Sequence, residues 1–117
     1  MKTLIQRVKQ ASVTIDNNLY SKINHGYLIF LGIEKNDSED KIDWLVNKIL
    51  NLRIFENDEG KMSLSIKDVD GEILLVSQFT LCGNCQKGNR PSFDNAMQPD
   101  LANKMYENFV QKLQQEI

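Results

Sequence analysis

Histidine occurs once in this chain, at His25, while cysteine and proline occur twice each. A single histidine directly before Gly26, at what reads as a turn into a strand, gives Ser-His-Asp or Cys-His catalysis no good candidate for its base. HExxH, P-loop and GxGxxG patterns are absent as well, which removes support for zincin, nucleotide-hydrolase and Rossmann readings. No apolar run approaches the roughly 20 residues that a membrane-spanning helix needs; Tyr27 to Ile33 is among the longest. The N-terminal "MKTLIQRVKQ" lacks the apolar core and cleavage site of a secretory signal, so the expected compartment is the cytoplasm and the cysteines are expected to be reduced thiols. Neither charge sign dominates: 14 Lys and Arg face 16 Asp and Glu for a net charge of −2. That balance speaks against a protein that coats nucleic acid non-specifically. One local basic patch remains, at Lys87 and Arg90.

The 117 residues carry 41% hydrophobic and 26% charged side chains, an ordinary balance for a folded domain. No repeat, linker or low-complexity segment divides them, so residues 1–117 are expected to form one domain. "TLIQRV" reads as a first strand and "ASVTID" as a second, with Ala11, Val13 and Ile15 alternating against Ser12, Thr14 and Asp16. Asn17-Asn18 predicts a turn into "LYSKIN". The continuous apolar run Gly26 to Ile33 predicts a strand buried on both faces. The period then changes. Asp37 or Ser38 is placed to cap a helix whose stripe is Ile42, Leu45, Val46, Ile49 and Leu52, with Trp44 beside it as a partly buried packing residue. "MSLSI" predicts a short strand and "EILLVSQFTL" a strongly apolar one. Pro99 opens a last helix that faces inward through Leu101, Met105, Phe109 and Leu113. The order ββββ, α, ββ, α predicts an α+β domain with mainly antiparallel pairing and two helices.

The residues that carry chemistry cluster between Val76 and Phe93, "VSQFTLCGNCQKGNRPSF". Cys82 and Cys85 form a CxxC, which lowers a thiol pKa or supplies half a zinc site in other settings. Here no second CxxC or His pair completes four ligands, and Cys85 runs into a Gly-rich loop rather than a helix, so both are read as reduced thiols without a metal. Ser77, Gln78 and Thr80 end an apolar strand with hydroxyls and an amide, which is also how an ordinary strand end looks. Lys87, Gly88 and Arg90 directly after them suit a loop that holds phosphate or ribose.

"SQFTL" at Ser77 to Leu81 followed by "KGNRPSF" at Lys87 to Phe93 strongly resembles the D-aminoacyl-tRNA deacylases. "QRV" at Gln6 to Val8, "ASVTI", "LRIFEND-EGKM" at Leu52 to Met62 and "LLVSQFTL" stand in that family's order, and the likeness runs from Met1 to about Phe109. The resemblance implies a barrel-like sheet with two helices and a homodimer. The implied activity is hydrolysis of the ester that joins a D-amino acid, or glycine, to the terminal adenosine of tRNA. Its implied partner is the 3′ end of an aminoacyl-tRNA, with neither membrane nor DNA, and it implies no metal or cofactor. Ser77, Gln78, Phe79 and Thr80 would form the catalytic pocket, Lys87 and Arg90 the grip on the RNA end. Arg7 would steady the partner subunit's loop, and Met62 would lie close to the site. Thr80 matches a hydroxyl considered as nucleophile; the other family view gives activation to the RNA 2′-hydroxyl, with backbone N–H groups orienting the ester. Thr80 has no evident base, so the second view is the better fit to these residues.

Two departures bear on function. Cys82 and Cys85 stand where the family usually has a tyrosine-like and a polar residue, so the CxxC is a local variation. The family also continues past its last helix into strands bearing a Gly-Pro pair in a "GPVT"-like motif, which enters the partner's pocket and excludes L-amino acids. Pro91 and Pro99 follow Arg and Gln, and no Gly-Pro occurs. The expectation is therefore either a shortened form of such an enzyme or a version without the chiral gate. The alternative function is a catalytically compromised RNA-end-binding or dimerisation module.

Overall fold

A computed structural model describes all 117 residues, Met1–Ile117. In chain order its elements are β1 (Lys2–Val8), β2 (Ala11–Ile15), β3 (Asn18–Ile23), β4 (Gly26–Gly32), α1 (Glu39–Asn51), β5 (Phe55–Glu56), β6 (Met62–Leu64), β7 (Glu72–Ser77), a 3₁₀ turn at Phe79–Cys82, and α2 (Pro99–Glu116). The apolar run that begins at Gly26 becomes the middle strand of a three-stranded sheet ordered β1-β4-β7. β1 runs antiparallel to it, pairing Ile5 with Ile29 and Arg7 with Tyr27. β7 runs parallel to it, pairing Tyr27 with Ile73 and Leu31 with Ser77. A strand bonded along both edges and buried on one face favours apolar side chains, and the hydroxyl of Tyr27, buried without a partner, is the one polar side-chain group this strand carries.

Alternation then assigns the faces. Tyr27, Ile29 and Leu31 point to one side and are fully buried in a cluster with Ile42, Val46, Ile49 and Leu50 of α1 and Phe109 and Leu113 of α2. Each such burial contributes roughly 1.5–3 kcal/mol, against a few tenths for a pair of helix-surface charges, so packing against β4 is what fixes both helices. Leu28 and Phe30 point to the other side and are only half-buried, and Leu4, opposite Phe30, is 50% exposed.

The α+β expectation holds, with antiparallel pairing in every strand pair except β4–β7. β2–β3 and β5–β6 form separate two-stranded ladders, and β1 and β7 keep unpaired outer edges. Several local expectations shift. The first hairpin turns at Asp16 and Asn17, both left-handed with φ of 51° and 64°, so Asn18 already belongs to β3. Trp44 is exposed, with the Lys48 ammonium 5.5 Å from its ring centroid, because its position on α1 faces away from the sheet. Leu101, in the first turn of α2, is also exposed. "RIFE" contributes β5, whose two residues are too few to show a period.

Ser38 occupies the position before α1 but makes no side-chain cap; its hydroxyl donates to Asp40 instead. Asp37 is the organising acid. Its carboxylate accepts from the Met1 ammonium at 2.8 Å, the Glu34 N–H at 2.6 Å and Lys41 Nζ at 3.1 Å. Burial pulls its pKa upward, but these donors outweigh burial and hold it below the ordinary carboxylate value. A carboxyl held low in the folded chain stabilises above its unfolded pKa, and that stability is lost as pH falls through the folded value. Asp37→Asn should therefore cost about 3 kcal/mol at neutral pH, since the ammonium keeps only the longer contact to Glu34 Oε1, at 3.4 Å, as a charged partner. In urea unfolding repeated at falling pH, the gap to the parent protein should close as Asp37 protonates; a gap that stays constant would remove the charge from the explanation.

Candidate active site

The stretch read as one strand to Leu81 stops being a strand at Ser77. The Gln78 N–H still donates to the Leu31 carbonyl at 2.8 Å, the last rung toward β4. The chain then curls, with Leu81 N–H donating to Gln78 O at 3.3 Å and Gly83 N–H to Thr80 O at 3.1 Å. Gly32 permits the curl. A Cβ there would stand 2.9 Å from Leu81 Cβ, 3.1 Å from Gln78 O and 3.2 Å from Cys82 Sγ. Cys82 is buried beneath the turn with its Sγ 3.6 Å from the Ile33 carbonyl, and burial, with the Glu34 charge adding to it, pushes its thiol pKa up. A buried thiol of raised pKa is a packing group, not a nucleophile. Cys85 is exposed, and both cysteines are free. No three His, Cys, Asp or Glu side chains gather into a cluster.

The curl opens a cleft of about 460 Å³ between the strand end and the start of α2. Ser77 and Phe79 form one wall; Phe93, Met97, Ala102 and Asn103 lie across from them. Phe79 and Phe93 meet edge to face with centroids 5.3 Å apart, yet Phe79 remains 56% exposed and offers its ring to the cleft. In a 3₁₀ turn that starts here, the Phe79 and Thr80 N–H groups have no carbonyl of their own turn to bond. The Thr80 side chain is exposed. His25 is no base for it: that ring packs on Phe55 at 5.1 Å, at the opposite end of β4.

Lys87 and Arg90 sit on a loop closed at its neck by Asn84 N–H to Ser92 O at 2.7 Å and Ser92 N–H to Asn84 O at 2.9 Å. Gly88 at the tip takes φ of 65°, the left-handed region where a side chain is strained. Both cations are exposed, and neither enters an ion pair. The loop returns to the cleft through Phe93.

Ser77, Gln78, Phe79 and Thr80 thus share one corner, with the Lys87–Arg90 loop hinged to it. Arg7 and Met62 are elsewhere. The Arg7 guanidinium donates from Nη1 to the Ile54 carbonyl at 2.8 Å and lies 3.9 Å from Glu56, whose strand partner is Met62. Arg7 pairs with Tyr27, four positions before Leu31, or roughly 13 Å along the sheet from Ser77. A single chain does not bring these two residues to the cleft. Ala102 and Asn103 were invisible in the sequence because helical periodicity marks the side of α2 that enters the core, not the flank that forms a wall, and Met97 lies in the irregular segment before that helix, which has no period.

Residues 4–117 match the family profile described as D-Tyr-tRNA(Tyr) deacylase. The chain is 55% identical over 113 residues to the D-aminoacyl-tRNA deacylase of Thermodesulfovibrio yellowstonii, which covers 97% of this chain and 77% of that one. It is 51% identical over 112 residues to the D-aminoacyl-tRNA deacylase of Clostridioides difficile, covering 96% and 75%. Among solved structures, the c-Myc DNA Unwinding Element Binding Protein superposes with a TM-score of 0.93 at 43% identity, over 98% of this chain and 77% of that one. A probable eukaryotic D-amino acid tRNA deacylase shares the fold, with a TM-score of 0.81 at 20% identity, over 95% and 65%.

Because Gly32 is the floor on which the turn closes, Gly32→Ala should cost about 1–3 kcal/mol, the usual range for overpacking. Amide resonances from Gln78 to Cys82 should move while those of α1 stay. Thermal melts and two-dimensional NMR check both, and an unshifted turn would show that Gly32 does not shape the cleft.

Proposed function

The chain belongs to the D-Tyr-tRNA(Tyr) deacylase family, and from that membership we propose that it hydrolyses the ester between a D-amino acid, or glycine, and the 3′-terminal adenosine of tRNA. The observation that carries this reading is the corner itself. An apolar strand ends in Ser77-Gln78-Phe79-Thr80 beside an open, aromatic-walled cleft, with two unpaired cations on a loop attached to it. An aminoacyl ester already carries a good leaving group, so alignment and a polarised carbonyl supply the rate that a strong base would otherwise provide. In this mechanism the Phe79 and Thr80 N–H groups face the ester carbonyl, and the neighbouring 2′-hydroxyl of the terminal ribose helps a water molecule add. The ribose 3′-oxygen leaves with a proton, giving free amino acid and uncharged tRNA. Thr80 acts through its backbone. Its hydroxyl stays unmodified, because no group nearby accepts its proton.

Lys87 and Arg90 take the phosphates of the single-stranded RNA end, where their lack of carboxylate partners leaves their charge available. The working form we propose is a homodimer acting in the cytoplasm as one domain per chain. Pairing two copies supplies what one chain leaves apart, namely Arg7 and Met62 near a cleft, and gives the half-covered face of Leu4, Leu28 and Phe30 something to pack against. No helix is long and apolar enough to cross a membrane. The reading as a binding module without catalysis is not favoured, since relatives about half identical over nearly the whole chain are named as deacylases.

Incubation with D-Tyr-tRNA and L-Tyr-tRNA, following release of the amino acid, should show release of the D-isomer above the buffer rate; none at all would leave only the binding module. Thr80→Ala should keep at least about half of kcat/KM, whereas a loss of a hundredfold or more would make its hydroxyl the nucleophile. The double variant Lys87→Ala with Arg90→Ala should raise KM with little change in kcat. It should also flatten the dependence of log affinity on log salt by roughly 1.4, two phosphate contacts to a single strand.

A further inference from the structure

A second groove, about 600 Å³, runs along α2 between β7 and the β2–β3 hairpin and shares Ser77 and Asn103 with the cleft. Its walls are mostly apolar, among them Val13, Ile15, Ile23 and Val110. Among its polar groups, which include Ser21, Glu72 and Gln114, the hydroxyl of Tyr106 is the one bonded to β7, and the alignment of that strand shows what it does there. Glu72 N–H and Gln78 N–H both donate to carbonyls at the ends of β4, so even-numbered residues of β7 turn their backbone groups toward β4. Odd-numbered residues Ile73, Leu75 and Ser77 therefore turn theirs toward the outer edge, where no strand pairs with them. Tyr106 Oη donates to the Leu75 carbonyl at 2.9 Å, two residues before Ser77.

This bond is the only polar link between α2 and β7. The other bonds from α2 side chains lead elsewhere. Asn108 reaches Glu39 and Lys112 reaches Asp43, both on α1, while Asn103 bonds Glu107 within its own helix. One turn before Tyr106, Ala102 and Asn103 form the far wall of the cleft. The bond thus joins the two walls just behind the place where they part. Burial, with a smaller push from Tyr20, raises the Tyr106 pKa, so the phenol remains a donor through the neutral range.

We infer that Tyr106 is a positioning residue for the proposed deacylation, setting the separation between the Ser77–Phe79 wall and the Ala102–Asn103 wall so that the ester carbonyl meets the donors of the turn. The inference rests on the deacylase reading and gives that reading a residue that touches neither the substrate nor the reacting atoms. Apolar packing alone allows helix and strand to slide by fractions of an ångström, and small misalignments of an ester cost rate more than binding.

The test is Tyr106→Phe, which keeps the ring and removes only the hydroxyl. Single-turnover deacylation of D-Tyr-tRNA should slow about five- to tenfold with KM within twofold, and the amide resonances of Ser77, Phe79 and Thr80 should move. Leu113→Ala, in the buried far end of the same helix, is the control: it should lower the melting temperature yet leave the rate per folded molecule unchanged. A Tyr106→Phe protein with the parental rate overturns the inference, as do unmoved Ser77–Thr80 resonances or an equal slowing in the Leu113→Ala control. If the parent protein releases no amino acid, the deacylase reading fails by itself, and the resonances still decide whether Tyr106 holds the turn.

Discussion

Everything in this molecule is arranged around a strand bonded along both edges and fully buried on its inner face. β4 is bonded to β1 on one edge and β7 on the other, and both of its faces carry apolar side chains. Its inner face takes Ile42, Val46 and Ile49 from α1 and Phe109 and Leu113 from α2, while Asn108–Glu39 and Lys112–Asp43 tie the two helices to each other. Its last residue, Gly32, then decides where β7 must stop. Beside a residue with no side chain the neighbouring chain folds over instead of running on, and the polar tetrad from Ser77 to Thr80 is left at the surface. Core and cleft are consequences of one apolar run ending in glycine.

The sequence made the long elements legible because burial imposes a period on them. The two-sided run of β4, the alternation in β1 and β2 and the helical stripe of Ile42, Val46 and Ile49 all stand where periodicity put them. It failed where the cause lies in tertiary contact. Nothing local in "LLVSQFTL" signals that the strand breaks after Ser77, since the reason is Gly32, far away in sequence. Trp44 and Leu101 are apolar residues that the fold leaves outside. The parallel partner of β4 was equally hidden, because strand order is set by the crossover through α1 and not by any residue of β7.

Within the candidate site the legible part was the part carried by adjacent residues. Ser77, Gln78, Phe79 and Thr80 stay together by covalent continuity, and the cation loop remains near through Phe93. The opposite wall came from α2, whose flank has no distinguishing composition. The CxxC that catches the eye in the sequence resolves into a buried thiol under the turn and an exposed one beyond it, two unrelated environments three residues apart. A corner without a titratable base suits a substrate that arrives activated, because it asks of the protein only shape, donors and charge. That economy also explains how a chain with a single histidine, packed on Phe55 at the wrong end of the sheet, is equipped for hydrolysis.

The parallel pairing of Gly26–Leu31 with Glu72–Ser77 has a kinetic side. The hairpins β2–β3 and β5–β6 close over a few residues at small entropic cost, whereas pairing β7 with β4 requires closing the whole crossover between them, which favours the hairpins forming first. Ser77 and the turn behind it hang on that long-range pairing. A partly folded chain can therefore hold native hairpins and helix with no cleft at all, so the appearance of the cleft reports completion of the fold rather than its beginning.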